Sequence, residues 1–580
     1  MKYDYSSVTR RAFVAAAALG LAGCASSSDD DSGSTTTDTG SASTSTESSG
    51  DSSVLSLNIG SEPDYLDPAL NSSLDGAILC VNSFVGLYTY DEDENIVPAI
   101  ATGDPEVSED GCTYTVTMNE TYWSDGTPIT ADDFIYSWNR ACADETAADY
   151  AYLYDIVERN DDGSLMATAD DDYTVSITLT NPCPYFMSLL AFPTFFPVPQ
   201  ASVEEADPDG TNPGAWCQEA GFLCNGAYTL ESWSHDESMV YVKNDYFYDA
   251  DNVTMDSLEF MLSADDTATF AAYQSGDLDF ADSVPTDEIQ SVIDGDDCHI
   301  IDQLGTYYVA FNVNADLFSG LTADQACDFR KAICLLIDRQ YIVDTVGQTN
   351  QIVADSFICP GMSDGNGSEF KTDDCSYYDA SEEALSDNQA EAKELLEGCG
   401  YTFTDNGDGT YTCDPNITIP YILNENTGHQ AVAECIQQDL AVLGIDMTIE
   451  TQDWNVLLDN RKNGNYTFAR EGWTADYDDP INMLELFRSD SGNNDPQFGI
   501  DPEEWAPSWD EYDALIDEIR TSTDLEGRVD LMHEAEDMLM ATWAVIPIYY
   551  YNDIYLQNTD VDGVITTTTG LKYFMYTTKA

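Results

Sequence analysis

The cysteines and histidines of this chain limit the chemistry open to it. Its 580 residues include 15 cysteines but only four histidines, and no cysteine pair has the CxxC spacing typical of structural zinc sites. Cys24 directly follows Leu21, Ala22 and Gly23 at the end of a short apolar run. Small residues before a cysteine suit a signal peptidase, after which the Cys24 thiol can carry a lipid. We therefore expect lipidation at Cys24 and no bound metal or cofactor.

Residues 1–23 have the form of an export leader. The apolar run over 14–22 is too short to cross a hydrocarbon core of about 30 Å. The arginine pair at 10–11 is typical of a twin-arginine signal, although a general secretory leader has the same overall form. Residues 24–53 are mostly Ser, Thr, Asp and Gly, a composition that cannot bury a core. We predict a signal peptide over 1–23 and a disordered lipoprotein tether over 24–53.

The charge of the chain excludes several classes of partner. It has 108 acidic and 19 basic residues, for a formal net charge of −89. Nucleic acid and a bare anionic lipid surface would both repel such a chain, so we expect no nucleic-acid partner. The acidity does not identify the ligand, because adaptation to a salty or acidic habitat, lineage bias and attraction of a cationic ligand would all produce it.

The remaining cysteines favour disulfides. Fourteen are left once one is assigned to lipidation, and an even number in an exported chain is typical of paired thiols. Cys399 and Cys413 flank a predicted hairpin with its turn over 405–409, and the two ends of a hairpin lie close together. They are the first candidate pair, and Cys217 with Cys224 is the second.

Enzyme motifs are missing from the sequence. It contains no GxSxG, no HExxH and no phosphate-binding glycine loop, and His533 has no second histidine four residues later. No glycosidase-type pair stands out among the many acids. The sequence therefore favours a binding protein over an enzyme.

The periodicity of apolar residues predicts a mixed α/β architecture. Residues 54–59 and 307–311 predict strands, and 328–340 predicts an amphipathic helix. Thr130, with Asp133 three residues later, has the pattern of a capping box and predicts the start of a helix. Later in the chain, helices and strands alternate over 431–443, 446–451, 454–460 and 466–469. Helices mixed with strands, without an internal repeat, indicate α/β lobes.

Five blocks of sequence carry a family resemblance. In chain order they are Gly60-Ser-Glu-Pro-Asp-Tyr-Leu-Asp-Pro68, Tyr122-Trp-Ser-Asp-Gly-Thr-Pro-Ile-Thr-Ala-Asp-Asp-Phe-Ile-Tyr-Ser-Trp-Asn-Arg140, Phe329-Arg-Lys-Ala-Ile333 with Ile337-Asp-Arg339, Gly472-Trp-Thr-Ala-Asp-Tyr-Asp-Asp-Pro480 and Ile546-Pro-Ile-Tyr-Tyr-Tyr551. In this order the chain resembles bacterial extracellular solute-binding proteins of family 5, the receptors of peptide and nickel ABC importers. Within that family it is most similar to the oligopeptide-binding proteins.

The resemblance implies a two-lobed periplasmic-binding-protein fold of type II, built as three domains, that closes on its ligand by a hinge. Lobe one would comprise 54–84, 200–304 and 541–580. An extra domain over 85–199 would be attached to lobe one, and lobe two would span 305–540.

The resemblance also implies a function. The chain would be an extracytoplasmic lipoprotein that captures short peptides and delivers them to the permease and ATPase subunits of an ABC importer. We expect it to be a monomer, held at the membrane through lipidated Cys24.

A receptor for many peptides must read the ligand backbone and its charged ends. The resemblance implies that Asp476 pairs with the ligand ammonium, and that Trp454 and Tyr150 wall the cleft. Reading the backbone requires an exposed strand edge, to which the ligand adds as a further strand. The residues placed for this edge are Gly472, Trp473 and Thr474.

The ligand carboxylate needs a cation, and this chain has few. The resemblance implies that Arg470, Arg461 and His429 serve this end at different peptide lengths. Ser72 stands where related proteins have a glutamate that braces the arginine matching Arg470, so the role of Arg470 depends on another partner.

The same fold also suits other ligands, namely nickel or a metallophore, a sugar, or a signalling peptide. Nickel would favour a histidine or a metallophore-binding arginine in the cleft, and a sugar would favour stacked aromatic rings without partners for charged ends. The combination of Asp476 with Arg461 and Arg470 favours a zwitterion.

Overall fold

The part of the chain that is described comprises residues 53–60, 62–372 and 375–580 of a computed structural model. The predicted signal peptide, Cys24 and residues 24–52 of the predicted tether lie outside it. The described residues belong to one compact unit. Among them, no helix has both the length and the apolar character needed to cross a membrane.

Strands and helices are mixed along the whole described chain. The strands are β1 (Val54–Ile59), β2 (Tyr88–Tyr90), β3 (Ile96–Pro98), β4 (Glu106–Val107), β5 (Thr113–Thr117), β6 (Thr121–Tyr122), β7 (Pro128–Ile129), β8 (Ala167–Asp171), β9 (Thr174–Thr178), β10 (Tyr228–Ser234), β11 (Ser238–Lys243), β12 (Ser257–Leu262), β13 (Phe280–Ala281), β14 (Cys298–Phe311), β15 (Thr402–Asp405), β16 (Tyr411–Asp414), β17 (Ile417–Asn424), β18 (Ile445–Gln452), β19 (Phe468–Thr474), β20 (Val545–Gln557), β21 (Val561–Asp562), β22 (Ile565–Thr566), β23 (Lys572–Tyr573) and β24 (Thr578–Lys579). The α-helices are α1 (Leu74–Ser83), α2 (Ala131–Ala141), α3 (Phe186–Leu189), α4 (Gln200–Ala206), α5 (Asp266–Ser275), α6 (Ile289–Val292), α7 (Ala323–Leu336), α8 (Arg339–Ile342), α9 (Leu385–Gly398), α10 (Thr427–Ala441), α11 (Trp454–Lys462), α12 (Ile481–Leu484), α13 (Asp510–Thr521) and α14 (Leu525–Ala541).

One mixed sheet of ten strands dominates the fold. Its strand order is β10-β11-β12-β1-β13-β20-β14-β19-β17-β18. Towards one end β1 runs parallel to β12 and β13, and towards the other end β17 runs parallel to β18 and β19. A separate antiparallel sheet, β4-β5-β9-β8, lies within the segment predicted as the extra domain. The predicted mixed α/β class is confirmed.

Two long strands connect the halves of the ten-stranded sheet. β14 and β20 pair antiparallel from Cys298 opposite Leu556 as far as Ala310 opposite Val545, with an irregular register between Asp302 and Thr306. β14 then pairs with β19, and β20 pairs with β13. The chain therefore crosses between the two halves once along β14 and returns along β20, as the two-lobed fold requires. The individual lobe boundaries stay a prediction.

The capping residues explain where predicted helices begin. The capping box of Thr130 and Asp133 is confirmed, since the Asp133 carboxylate accepts the Thr130 N–H at 2.8 Å and α2 follows. The helix predicted over 328–340 begins earlier, because a second capping box formed by Thr322 and Gln325 starts α7.

Neither predicted disulfide forms, and all fourteen cysteines in the described part of the chain are free thiols. The predicted hairpin is present as β15 and β16. Cys399, however, caps the end of α9, and its thiol lies 3.2 Å from the carbonyl oxygen of Gln325. Cys413 faces a carbonyl oxygen in its own turn at 3.3 Å. Cys217 and Cys224 are buried and each contacts a main-chain carbonyl oxygen instead of the other thiol.

A buried ion pair joins two of the sequence blocks. The Asp67 carboxylate is fully buried and accepts hydrogen bonds from Arg140 at 3.1 Å and from the indole of Trp216 at 2.6 Å. Arg140 lies on α2 and is itself buried. Asp67 therefore connects the segment that follows β1 to α2 and to the segment around Trp216.

Replacing Asp67 with Ala should lower the free energy of unfolding by about 3–5 kcal/mol, because Arg140 would stay buried without a counter-charge. Urea denaturation of the protein measures this loss. The exposed Asp161→Ala should change it by less than about 0.5 kcal/mol, and adding Arg140→Met to the Asp67 variant should recover part of the loss. A loss at Asp67 no larger than at Asp161 would contradict this account.

Candidate ligand-binding site

The strand β19 has an open edge. It pairs antiparallel with β14 along its length, with Tyr307 opposite Gly472. On its other side β17 pairs only with Phe468 and Ala469. Beyond that point, no strand of the described chain covers the second edge of β19. The segment over 470–474 can therefore accept an extended ligand as an added strand.

Asp476 lies just beyond the end of β19, held by hydrogen bonds on both carboxylate oxygens. The hydroxyl of Tyr150 donates to one oxygen at 2.7 Å, and the side-chain amide of Asn482 donates to the other at 2.9 Å. The Asn482 side-chain oxygen in turn accepts the Asp476 N–H and the indole N–H of Trp473, each at 3.0 Å. This network fixes the direction of the Asp476 carboxylate.

The Asp476 carboxylate has no cationic partner. Burial raises its pKa to about 6, although the hydrogen bonds from Asn482 and Tyr150 act in the opposite direction. Among the described residues, no Lys, Arg or His side chain forms an ion pair with it. The group is therefore a partly buried anion at neutral pH, and a ligand ammonium would supply the missing charge-assisted hydrogen bond.

Arg470 lies on β19 among tyrosine rings. Its guanidinium donates to the hydroxyl of Tyr551 at 3.1 Å and lies 5.3 Å from the centre of the Tyr307 ring. Burial alone would lower the pKa of Arg470, but Tyr551 and Tyr307, together with the nearby Glu471 carboxylate, raise it above its usual value. No carboxylate of the described chain forms an ion pair with Arg470, so it is available to a ligand carboxylate.

His429 belongs to the same neighbourhood. Its ring centre lies 5.5 Å from that of Tyr307, near the start of α10. Burial and the positive charge of Arg470 together lower the pKa of His429 well below its usual value. A neutral imidazole at this position can donate or accept a hydrogen bond, but it does not offer a positive charge.

Gly472 is required by the packing around Arg470. A Cβ atom at this position would lie 2.2 Å from the hydroxyl oxygen of Tyr551 and 3.2 Å from a guanidinium nitrogen of Arg470. A similar constraint acts at Gly305 on the facing strand, where a Cβ atom would lie 2.7 Å from the carbonyl oxygen of Trp473. Because these glycines lack a Cβ atom, Tyr551 and Arg470 can pack against β19 at Gly472, and β14 can lie close to β19 at Gly305.

Arg461 differs from Arg470 because it is already neutralised. It lies on α11 and pairs with the buried carboxylates of Glu471, at 2.7 Å, and Asp495, at 3.1 Å. It also donates to the carbonyl oxygen of Arg470 at 3.0 Å. Its guanidinium lies 5.7 Å from the ring centre of Trp454, which is partly exposed. These contacts connect α11 to β19 and leave the charge of Arg461 paired with buried acids.

Ser72 lies away from the Arg470 guanidinium contacts. Its hydroxyl donates to Asp149 at 3.1 Å, and Asp149 lies 3.6 Å from the ammonium of Lys462. The group that contacts Arg470 is instead the hydroxyl of Tyr551. A phenol hydroxyl thus contacts Arg470, and no carboxylate of the described residues lies within ion-pair distance of its guanidinium.

The structure adds residues that sequence reasoning missed. Tyr549 and Tyr551 lie two residues apart on β20. The Tyr549 ring stacks on that of Tyr307 with centres 4.8 Å apart, and the Tyr551 ring meets Tyr307 edge-on at 6.0 Å. Their spacing of two residues was the signal that both point to one face of a strand. Asn482 gave no signal, because its role depends on a turn that folds back on Asp476.

The two sides of the cleft touch one another. Tyr150, from the predicted extra domain, reaches Asp476 in predicted lobe two. The rings of Tyr185 and Tyr477 join the same two segments, stacked with centres 4.5 Å apart. The cleft is therefore closed over Asp476.

Comparisons with known proteins agree with this architecture. The model of the family "Bacterial extracellular solute-binding proteins, family 5 Middle" matches residues 95–495. The dipeptide-binding protein DppE of Bacillus subtilis is 33% identical over 531 residues, which cover 90% of each chain. A structure of the Escherichia coli murein tripeptide binding protein MppA is 28% identical, with a TM-score of 0.78 over 91% of this chain and 98% of that one.

A second structure of MppA bears on the state of the cleft. Its unliganded open form matches over the same 91% of this chain and 98% of its own, at 27% identity, but with a TM-score of only 0.61. The present structure therefore differs from the open arrangement, in agreement with the contacts across the cleft.

These matches confirm the two-lobed periplasmic-binding-protein fold and the resemblance stated from the sequence blocks. The relatives are solute-binding proteins rather than enzymes, which confirms the prediction of a binding protein. The family model spans more than half of the chain, and a relative over 30% identical spans nine-tenths of it. The chain belongs to the bacterial extracellular solute-binding proteins of family 5.

Proposed function

We propose that this protein binds short peptides outside the cytoplasm and delivers them to the permease and ATPase subunits of an ABC importer. The observation that carries this proposal is the Asp476 carboxylate, which lacks a counter-charge and lies at the end of the open edge of β19. The names of the relatives support the same ligand class, since one is a dipeptide-binding protein and another binds a murein tripeptide.

The ligand would add to the sheet as a strand. Its main chain would pair with the edge over 470–474, which reads no side chain and therefore tolerates many sequences. Its ammonium would hydrogen-bond to Asp476, and its carboxylate would pair with Arg470, helped by the neutral ring of His429. Trp473 and Tyr150 would enclose the first residue, and Trp454 would line the other side of the cleft.

The position of the receptor is proposed from the sequence. Cys24 would carry the lipid that anchors the mature chain, and residues 24–53 would tether the folded unit near the permease. Opening and closing of the two lobes, with the crossings along β14 and β20 as the hinge, would admit and release the peptide. The protein would act as a monomer.

Nickel, sugar or signalling-peptide uptake is the alternative use of this fold. The separation of an unpaired anion, Asp476, from an unpaired cation, Arg470, favours a ligand with two charged ends. A short peptide is such a ligand, and a neutral sugar is not.

Replacing Asp476 with Asn should weaken binding of a free tripeptide at least tenfold, because one charge-assisted hydrogen bond of about 1.5–3 kcal/mol is lost. Titration calorimetry with the free and the N-acetylated peptide measures this effect. Acetylation should cause a similar loss in the unchanged protein and little further loss in the variant. The exposed Asp459→Asn should bind as the unchanged protein does. Equal affinity for free and acetylated peptide would refute the ammonium role.

Affinity for a free peptide should fall as the pH is lowered from about 7 to about 5. The pKa of Asp476 is raised to about 6 in the unliganded protein, so the carboxylate takes up a proton in this range and loses its attraction for the ammonium. Above about pH 7, where the carboxylate is almost fully ionised, the dependence should level off. Binding measured across this range should show no such change for Asp476→Asn, and a profile unaltered by that substitution would assign the pH dependence to another group.

Replacing Arg470 with Gln should weaken binding of a peptide acid about tenfold and leave a C-terminal peptide amide nearly unaffected, since only the acid loses a cation partner. Arg461→Gln should instead lower the melting temperature, because Glu471 and Asp495 would lose their buried counter-charge. Calorimetry and thermal melts of both variants separate these effects. An equal loss for acid and amide with Arg470→Gln would contradict the role given to Arg470.

A further inference from the structure

Outside the ligand site, three side chains with metal-binding groups converge between α14 and the segment that precedes α9. They are Cys375, His533 and Glu536, and one ligand atom from each lies within 4.8 Å of the others. Cys375 and Glu536 are buried, and His533 is partly exposed. A thiol, an imidazole and a carboxylate together form the donor set that zinc accepts.

The distances in this cluster suit a single ion. The Cys375 sulfur lies 3.5 Å from Nδ1 of His533. In a tetrahedral zinc site, sulfur and nitrogen ligands at their usual bond lengths are about 3.5 Å apart. His533 and Glu536 are three residues apart on α14, so both side chains lie on one face of the helix. The His533 ring is held by stacking on Phe370, with ring centres 4.0 Å apart.

Glu536 supplies independent evidence for a missing cation. One carboxylate oxygen accepts the main-chain N–H groups of Phe357 and Ile358, at 3.1 and 2.8 Å. The other oxygen is buried and has no hydrogen-bond partner, and the residue as a whole is fully buried. A buried carboxylate oxygen without a partner is costly, and a bound cation would remove that cost.

The neighbouring lysine does not fill this role. The ammonium of Lys371 donates to Asp355, to Ser356 and to the carbonyl oxygen of Cys375, at 2.8, 2.6 and 3.2 Å. All three of its protons are therefore engaged elsewhere.

We propose that Cys375, His533 and Glu536 bind a zinc ion, with the fourth coordination position left to water. The thiolate and imidazole distinguish this site from the acidic surface, whose carboxylates suit Mg²⁺ and Ca²⁺. The proposal does not depend on the identity of the transported ligand. It departs from the expectation of no metal, which rested on the absence of a CxxC pair and on the small number of histidines. Cys375 lies 158 residues before His533, so no short sequence motif joins them.

The ion would stabilise the support of the binding strand. Glu536 already holds the main chain at Phe357 and Ile358, and the carbonyl oxygen of Phe357 accepts the hydroxyl of Thr306 on β14 at 2.8 Å. A zinc ion bound to Glu536, His533 and Cys375 would join Cys375 as well to α14, beside the hydrogen bonds that already connect α14 to Phe357 and Ile358. Zinc binding should therefore raise the melting temperature of the protein.

The test uses the full chain, stripped with a chelator and titrated with Zn²⁺ in a large excess of Mg²⁺, which occupies the surface carboxylates. Elemental analysis should find one tightly bound zinc per chain, together with an upward shift in melting temperature. Replacing zinc with Co²⁺ should give a thiolate-to-cobalt absorption band. No zinc retained under excess Mg²⁺, or a cobalt spectrum without the thiolate band, would overturn the proposal.

Matched variants assign the ligands. Cys375→Ser and His533→Gln should each lose the bound zinc and the zinc-dependent shift in melting temperature. With Co²⁺, Cys375→Ser should lose the thiolate-to-cobalt band, and in His533→Gln this band should be lost or move to another wavelength. Cys327→Ser and His299→Gln, at a free cysteine and a histidine outside the cluster, should keep all three. Far-ultraviolet circular dichroism of the zinc-free variants checks that each is folded. If one of the two ligand variants fails to fold, zinc retention by the other still tests the assignment. Full zinc retention by Cys375→Ser or His533→Gln would contradict the assignment.

Discussion

The site is organised around the partly buried carboxylate of Asp476, with which no cationic side chain of the described residues forms an ion pair. Removing an ionised carboxylate from water is costly, and neutral hydrogen bonds offset only part of that cost. At Asp476 these bonds come from Tyr150 and Asn482, which reach it from different segments of the chain. Because the pKa of Asp476 is raised only to about 6, the group still carries its charge at neutral pH. In the proposed function this charge attracts the ammonium group of the peptide.

Successive side chains of β19 point to opposite faces of the sheet, so the residues proposed to bind the ligand and those that hold the strand in place lie on different faces. Arg470 and Gly472 lie on one face and contact Tyr551, whereas Glu471, between them, points to the other face and pairs with Arg461. One arginine is thus left without an acidic partner, while the other holds the strand in place through buried ion pairs. The open edge of the same strand provides hydrogen-bonding groups between the anion and the cation. A single short segment could in this way recognise the ammonium, the main chain and the carboxylate of a peptide.

The sequence predicted the class of fold well, because strand and helix periods are local properties. β1 was predicted with its observed bounds, and the capping box at Thr130 marked the start of α2. The start of α7 was missed because a better capping box lies upstream at Thr322. The disulfide between Cys399 and Cys413 was predicted from the hairpin alone, but Cys399 belongs to the helix before it and its thiol turns towards α7.

The site itself was accessible from sequence only where a motif carried it. Asp476 and Arg470 were proposed through the resemblance and Gly472 from its place after a predicted strand, whereas the spacing of residues alone would not have separated Asp476 from the other 107 acidic residues. The hydrogen bonds of Asn482, the contact of Arg470 with Tyr551 and the meeting of Cys375 with His533 all depend on packing between segments that lie apart in the sequence or on the local turn, and no motif signals them. Arg461 was predicted at the ligand carboxylate, and its ion pairs with the buried Glu471 and Asp495 are revealed only by the folded arrangement.

A crystal structure of the protein with a bound tripeptide would test the central claim most directly. This account predicts that the peptide ammonium lies within hydrogen-bonding distance of the Asp476 carboxylate and that the peptide main chain pairs with the edge of β19 over 470–474. A peptide bound with its ammonium away from Asp476, or one that leaves this edge uncovered, would contradict it.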